Sequence, residues 1–408
     1  MGLSKEPVEQ LLIVSPAKMI WSIIHFLEHH IKKMPITILN NSLTIKNISL
    51  RNRLVLPPIT TNYGSSKGLV TQDILHFYKE RSRDMGLVIV EATSVHATGR
   101  IVPGSLGLWD DSQISGMAKL VKTIQKQGAV AVVQLNHAGA KCIPLKNKRH
   151  GFSPSDVVFR PDVEPIIMNA GDIEQLIHDF SRAAVRAQKA GFDGVEIHGA
   201  HLYLLSQFLS PLTNKREDRY GGDAKGRATL ALEIVRDVRK NLGPDYPIFF
   251  RINAEERILG GQTLEDAVVI GRLLADAGVD VFDITLIAQG GWKEADGKKI
   301  LMGTSALPKD QPSGANVALT IAFKKEIRLP VIAVGKFGIG QAAVNAVENE
   351  NIEMIAIGRQ MICDPKTARK MLDGNDKDII ACDECLKCFA TIGKGERMAC
   401  KVNQNLPF

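Results

Sequence analysis

The sequence predicts an α/β protein: a (β/α)8 barrel followed by a short cysteine-rich extension. Three observations carry this. Eight short Val/Ile-rich runs alternate with segments of helical period, the repeat of a barrel of parallel strands. The first run ends in Pro57-Pro58 rather than in the glycine-rich turn expected of a doubly wound sheet. The residues that close the runs are mostly polar or glycine while their bodies are apolar, so one end of the barrel should carry a site.

The strands are expected at Leu54–Ile59, Leu87–Glu91, Ala129–Leu135, around Val195 and Ile197, then at Ile248–Ile252, Val281–Thr285, Val331–Val334 and Met354–Ile357. Helical periodicity falls at Asp73–Arg83, Ile114–Gln127, Ile173–Ala190, Ala224–Asn241, Leu264–Ala277, Val317–Lys325 and Ile339–Glu348. A polar, proline-bearing insertion (Lys146–Pro165) and a glycine-rich loop (Gln289–Trp292) should shape a pocket. The resulting division is residues 1–33 as an extension, 34–375 as the barrel and 376–408 as the cysteine-rich tail. Residues 1–33 hold apolar stretches split by Pro16 and Lys18, too short to span a bilayer and without a secretory cleavage pattern. They read as an upstream extension, with an amphipathic helix around Trp21, Ile24 and Leu27 as the alternative.

In a chain of 408 residues, a 45% hydrophobic and 23% charged composition is that of an ordinary globule able to bury a large core. The net charge of +7 favours anionic ligands such as nucleotide cofactors, but no arginine-rich arm or basic–aromatic interleaving points to nucleic acid. Four of six cysteines crowd into residues 382–400, which suits a metal in a reducing compartment better than a disulfide framework. The expected location is cytoplasmic, and an assembly of identical chains is expected.

The densest chemistry lies in residues 194–222, where a short strand runs into His198, His201 and Tyr203. A single histidine on an apolar strand is usually a satisfied core residue. Two imidazoles and a phenol within six positions at a strand end read as a site. The charged run that follows, from Asn214 to Gly222, reads as a solvated face, at Lys215 and Glu217 above all. Gly335-Lys336 and Gly358-Arg359, closing the last two strands, suit a phosphate held by backbone N–H groups and a cation. Arg251 would stabilise an anion at the barrel mouth, unless an internal salt bridge claims it. Gln134 offers a donor and an acceptor to a flat heterocycle with an imide edge.

These stretches resemble the old yellow enzyme family of FMN-dependent oxidoreductases over about residues 36–370. The resemblance rests on His198 to Gly222 together with Asn52–Pro58, Gln134–Gly139 and Gly358-Arg359. It implies FMN across the barrel mouth, contacted by Pro58, Ile59 and Thr60, with Ala92 and Gln134 along its pyrimidine edge. Arg251 would face the N1–C2 carbonyl region, and Gly335, Lys336, Gly358 and Arg359 would hold the phosphate. It further implies NAD(P)H as reductant and an activated alkene, such as an enone, as the small-molecule substrate. His198 and His201 would bind the carbonyl oxygen and Tyr203 would supply the proton. The histidine pair fits ene-reductases better than amine dehydrogenases, whose first position is typically a tyrosine. A flavin or quinone reductase is the rival enzyme reading, and an electron-transfer subunit the rival from another class.

The spacing Cys382-x2-Cys385-x2-Cys388-x11-Cys400 can close around zinc or an iron–sulfur cluster, and spacing alone does not separate the two. It resembles the segment after the barrel in trimethylamine dehydrogenase and 2,4-dienoyl-CoA reductase, which implies a [4Fe–4S] cluster. Those relatives continue into further nucleotide-binding domains, whereas this sequence ends at Phe408. A cluster here is therefore expected to serve a separate electron-transfer protein or to clip the tail. Cys142 and Cys363 are expected to be ordinary thiols.

Overall fold

The computed structural model describes residues 37–143 and 150–406; the reading of residues 1–33 lies outside them. Eight strands form a closed, all-parallel barrel: β1 (Leu54–Leu56), β2 (Leu87–Ser94), β3 (Val130–Asn136), β4 (Gly194–Gly199), β5 (Ile248–Glu256), β6 (Val281–Ile287), β7 (Val331–Val334) and β8 (Met354–Ala356). They follow one another around the wall in chain order, and β8 closes against β1. Every strand sought in the sequence is present. β1 stops at Leu56 because Pro57 and Pro58 have no N–H to give to a ladder. β2, β5 and β6 run further than expected, to Ser94, Glu256 and Ile287, and the polar ends of β2 and β5 are still strand.

The outer helices begin and end where local chemistry allows. Thr71, Asp223 and Thr263 accept hydrogen bonds from the first free amides of Gln72–Ser82, Ala224–Leu242 and Leu264–Ala277. A reciprocal cap between Asn169 and Asp172 opens Ala170–Ala190, which Gly191 ends in the left-handed region at φ 92°. The barrel has two ends of different character. At the N-terminal end a hairpin (Leu43–Ile45, Ile48–Leu50) inserts Ile45, Ile48 and Leu50 among Val55, Leu87, Val132, Phe249 and Ile332, closing the bottom with apolar side chains. The opposite end is left to polar groups.

Two expectations are corrected. The glycine-rich stretch after β6 is an antiparallel hairpin, Gln289–Ala295 paired with Lys298–Thr304, rather than a loop. Its glycines serve close packing: a Cβ on Gly290 would lie 2.3 Å from the Met302 carbonyl oxygen. In the polar insertion, His150–Ser153 and Glu164–Ile167 pair as a short parallel ribbon. The tail folds back over the mouth. Asn62 Nδ2 donates to the carbonyls of Gly395 (2.9 Å) and Glu396 (2.8 Å), and the Tyr63 hydroxyl donates to Met398 O at 2.7 Å.

Candidate active site

At the C-terminal mouth the strand ends surround a cavity of about 680 Å³. It is lined by His198, His201 and Tyr203, by Pro58, Ile59, Thr60, Ala92, Gln134 and Arg251, and by Gly335, Lys336, Gly358 and Arg359. The sequence places these residues as far apart as 58 and 359; the barrel brings all of them to one cavity.

His198 is the penultimate residue of β4 and is buried. The chain then makes a tight turn through His201 (φ 62°) and Leu202 (φ 57°), a left-handed pair uncommon for residues with a Cβ. The turn is held from several sides. Asn253 Oδ1 accepts from His201 N (3.2 Å), Ser206 Oγ from Leu202 N (3.1 Å), and Gln207 Nε2 donates to Leu202 O (2.8 Å). The result brings the His198 and His201 rings to 5.0 Å between centroids, with the Tyr203 ring 5.3 Å from that of His198. His201 Nε2 lies 3.1 Å from Thr285 Oγ1, while buried His198 Nδ1 has no hydrogen-bond partner.

Burial dominates the electrostatics. It holds both imidazoles well below their ordinary pKa, with Arg251 adding to the effect, so each is neutral at pH 7 and carries one N–H donor. The Tyr203 phenol is pushed up to about 12 by the same burial and stays protonated. A carbonyl oxygen arriving here would meet neutral N–H donors and a phenolic O–H.

Beneath the mouth, Arg251 Nε sits 3.3 Å from Asp283 Oδ2, so the internal salt bridge weighed from the sequence exists while Arg251 also faces the cavity. Glu196 lies beside this pair and accepts from Gln134 Nε2 at 2.8 Å. Burial raises the pKa of both carboxyls, partly offset by Arg251. Gln134 thus spends one N–H on Glu196 and keeps its carbonyl oxygen for a ligand edge.

At the end where a phosphate is expected, the structure separates two cations that the sequence treats alike. Arg359 Nη1 is buried without a hydrogen-bond partner, as suits a guanidinium awaiting an anion. The Lys336 amine is fully engaged instead, by the carbonyls of Pro308 (3.2 Å), Lys309 (2.8 Å) and Gln311 (2.6 Å) and by Glu384 at 2.8 Å. Any contribution of Lys336 to a phosphate therefore falls to its backbone, at φ 59°. These groups fit the phosphate, imide edge and ring face of FMN. Sequence reading missed Glu384 and Lys141, because neither sits in a spacing that signals its position.

Cys382, Cys385, Cys388 and Cys400 line one small pocket with Arg359 and Lys401, and Cys382 and Cys388 also face the main cavity. Among the described residues, no three His, Cys, Asp or Glu side chains form a group that could hold a metal ion. Cys363, expected to stand apart, is close enough to Cys400 and Cys382 for their charges to raise its pKa, after burial, to about 12.

Residues 39–378 match the pattern of the NADH:flavin oxidoreductase / NADH oxidase family. An NADH oxidase of Thermoanaerobacter brockii is 35% identical over 365 residues, covering 88% of this chain and 54% of that protein. An NADH:acrylate oxidoreductase of Vibrio harveyi is 33% identical over 358 residues, covering 86% of this chain and 34% of that protein. Among solved structures, a 2-naphthoyl-CoA reductase complex superposes with a TM-score of 0.83 at 27% identity, over 91% of this chain and 58% of that one. The chain thus spans about half, or less, of the length of these relatives. With its barrel matched nearly end to end, it belongs to the NADH:flavin oxidoreductase / NADH oxidase family, the old yellow enzyme family.

Proposed function

We propose that the protein binds FMN at the barrel mouth and uses NAD(P)H to reduce activated alkenes such as α,β-unsaturated carbonyl compounds. The observation that carries this reading is the convergence of His198, His201 and Tyr203 on one wall of a cavity whose far end holds the unpartnered Arg359 guanidinium. Pro58, Ile59, Thr60 and Ala92 would line the cofactor, Gln134 and Arg251 would meet its polar edge, and Gly335, Gly358, Arg359 and the Lys336 backbone would receive its phosphate. When bound, FMN would supply the hydride chemistry, taking a hydride from NAD(P)H and passing it to the alkene β-carbon. The protein's part is polarisation and proton delivery. The neutral imidazoles of His198 and His201 donate to the substrate carbonyl oxygen and stabilise the negative charge that builds there. Tyr203 delivers its proton to the α-carbon as general acid and regains one from solvent.

The test is Tyr203→Phe, which removes one hydroxyl and keeps the ring. Oxidation of NAD(P)H by the loaded protein should persist while enone reduction falls by about 10²–10⁴-fold. Unchanged enone reduction would remove Tyr203 from the role of proton donor.

For the tail we read a [4Fe–4S] cluster held by Cys382, Cys385, Cys388 and Cys400. In support, the four cysteines have the Cys-x2-Cys-x2-Cys-x11-Cys spacing and line one pocket beside the cavity. Its place beside the cavity would let it exchange electrons with the flavin site and with an electron-transfer protein.

A further inference from the structure

A polar layer is sealed inside the barrel, one step below the mouth. Val132, Phe249 and Val281 belong to the apolar plug at the bottom. Two residues further along the same strands, and so on the same face, stand Gln134, Arg251 and Asp283. Glu196 of β4 reaches this layer between them, in register with Gln134, while Asp283 is in register with Arg251. Arg251 and Gln134 line the cavity; the two acids lie behind them, both 0% exposed.

Donors and acceptors in this layer do not balance. Gln134 Nε2 donates to Glu196 Oε1 at 2.8 Å, and Arg251 Nε stands 3.3 Å from Asp283 Oδ2 without completing a hydrogen bond. Glu196 Oε2 and both Asp283 oxygens are buried with no donor. The two carboxyls nevertheless meet, close enough to act on each other as a hydrogen-bonding pair. An ionised carboxylate only accepts, so two of them facing one another leave these oxygens unsatisfied. A single proton between them makes one oxygen a donor and its neighbour a satisfied acceptor. Charge leads to the same answer. Arg251 is one cation against two carboxyls, and a second full negative charge in a sealed layer has no partner. Burial raises both acids, the Asp283 charge raises Glu196 further, and Arg251 opposes the rise.

We propose that Glu196 and Asp283 share one proton and so set one negative charge, not two, behind Arg251. This rests on the flavin reading above, in which Arg251 meets the polar edge of FMN. Negative charge gathers at the N1–C2 side of that edge when the flavin is reduced, and a bare guanidinium would hold it too well. One carboxylate equivalent balances Arg251 and keeps reduced FMN a strong hydride donor. Two ionised carboxyls would outweigh the guanidinium and weaken the hold on reduced FMN. Both acids act through Arg251, as positioning residues.

The experiment compares the FMN-loaded full-length wild type with Glu196→Gln, Asp283→Asn and the double variant, by redox titration of the flavin and by infrared spectroscopy. Either single amide leaves one carboxylate to balance Arg251, so the preference for reduced over oxidised FMN should stay within about threefold of wild type. The double variant leaves none, and that preference should rise by about 10–100-fold, the worth of an unmatched charge in a partly buried site. For a two-electron couple this is a rise of about 30–60 mV. The wild-type infrared spectrum should contain a protonated-carboxyl C=O stretch, shifted in deuterium oxide, that both single variants lack. If either single variant raises the preference as the double does, both acids are ionised and the proposal is overturned. A double variant with unchanged preference would overturn it as well. So would a stretch that survives in Asp283→Asn, which assigns the proton to Glu196 alone. Should the double variant not fold, the single variants and the infrared signal decide. If wild type takes up no FMN, the flavin reading fails and the infrared signal alone decides the shared proton.

Discussion

Replacing Lys336 with methionine separates an anchoring role from a phosphate-binding one. The side chain is only 5% exposed, and its amine holds three carbonyls of the 308–311 segment and the Glu384 carboxylate of the cysteine-rich tail. Methionine keeps the length of the stem and removes every one of those contacts. Breaking a buried ion pair by deleting one partner costs about 3–5 kcal/mol. Glu384 remains 23% exposed and can turn toward water, so the lower end, about 3 kcal/mol, is expected. In a chain of 408 residues that is a fall of roughly 3–5 °C in the unfolding midpoint, read by circular dichroism. Because no N–H of this amine is free, the preference for FMN over riboflavin should change by no more than about threefold. Arg359→Met should instead erase it by about 30–100-fold, a lost charge-assisted contact, read by flavin fluorescence titration. An unaltered midpoint in Lys336→Met together with collapsed FMN preference would refute the assignment of this lysine to the fold.

Burial raises the Glu91 carboxyl to about 7, against the opposing hydrogen bonds from Thr61 N–H and hydroxyl. Its contribution to stability is therefore complete below the ordinary value of 4.5 and is lost as pH rises through about 7. Relative to Glu91→Gln, the wild type should lose about 3 kcal/mol between those limits in urea unfolding; a pH-independent difference would contradict the raised pKa. Gly221→Ala should abolish soluble folded protein or lower its midpoint severely, since a Cβ there would lie 1.9 Å from the Arg216 carbonyl oxygen. Near-normal stability of that variant would show that the turn can open. For the tail, anaerobically purified protein should contain iron and sulfide in equal amounts, and Cys388→Ser should lose both; zinc without iron would displace the cluster reading.

The barrel was legible because its signal is repetitive: each strand is a short Val/Ile-rich run, and parallel strands buried on both faces show themselves that way. The site was legible where residue types are rare for a core, as with His198, His201 and Tyr203. Reading stopped where a role depends on a distant partner. Lys336 looked like a phosphate ligand because its three carbonyl acceptors carry no sequence signature. Lys141 follows a recognisable Asn136-His137-Ala138-Gly139 stretch, yet only the fold shows that its turn is clamped by Gln207 beneath the histidines. The hairpin after β6 escaped because Gly290 and Gly291 suggest a loop, while the register that makes them strand lies in residues 298–304. The charged run divided as expected at its solvated members: Lys215 and Glu217 are exposed. Asn214 within it is a buried brace, donating to Phe208 O and Tyr220 O at 2.7 Å each.

The central claim is that the polar mouth of this barrel is a flavin site. The direct measurement is the flavin content and absorption spectrum of freshly purified protein, before and after incubation with FMN. The account predicts a yellow protein that retains FMN in equimolar amount through gel filtration, with the flavin spectrum shifting when an unsaturated carbonyl compound is added. A folded, colourless protein that leaves FMN unbound and its spectrum unchanged would contradict it.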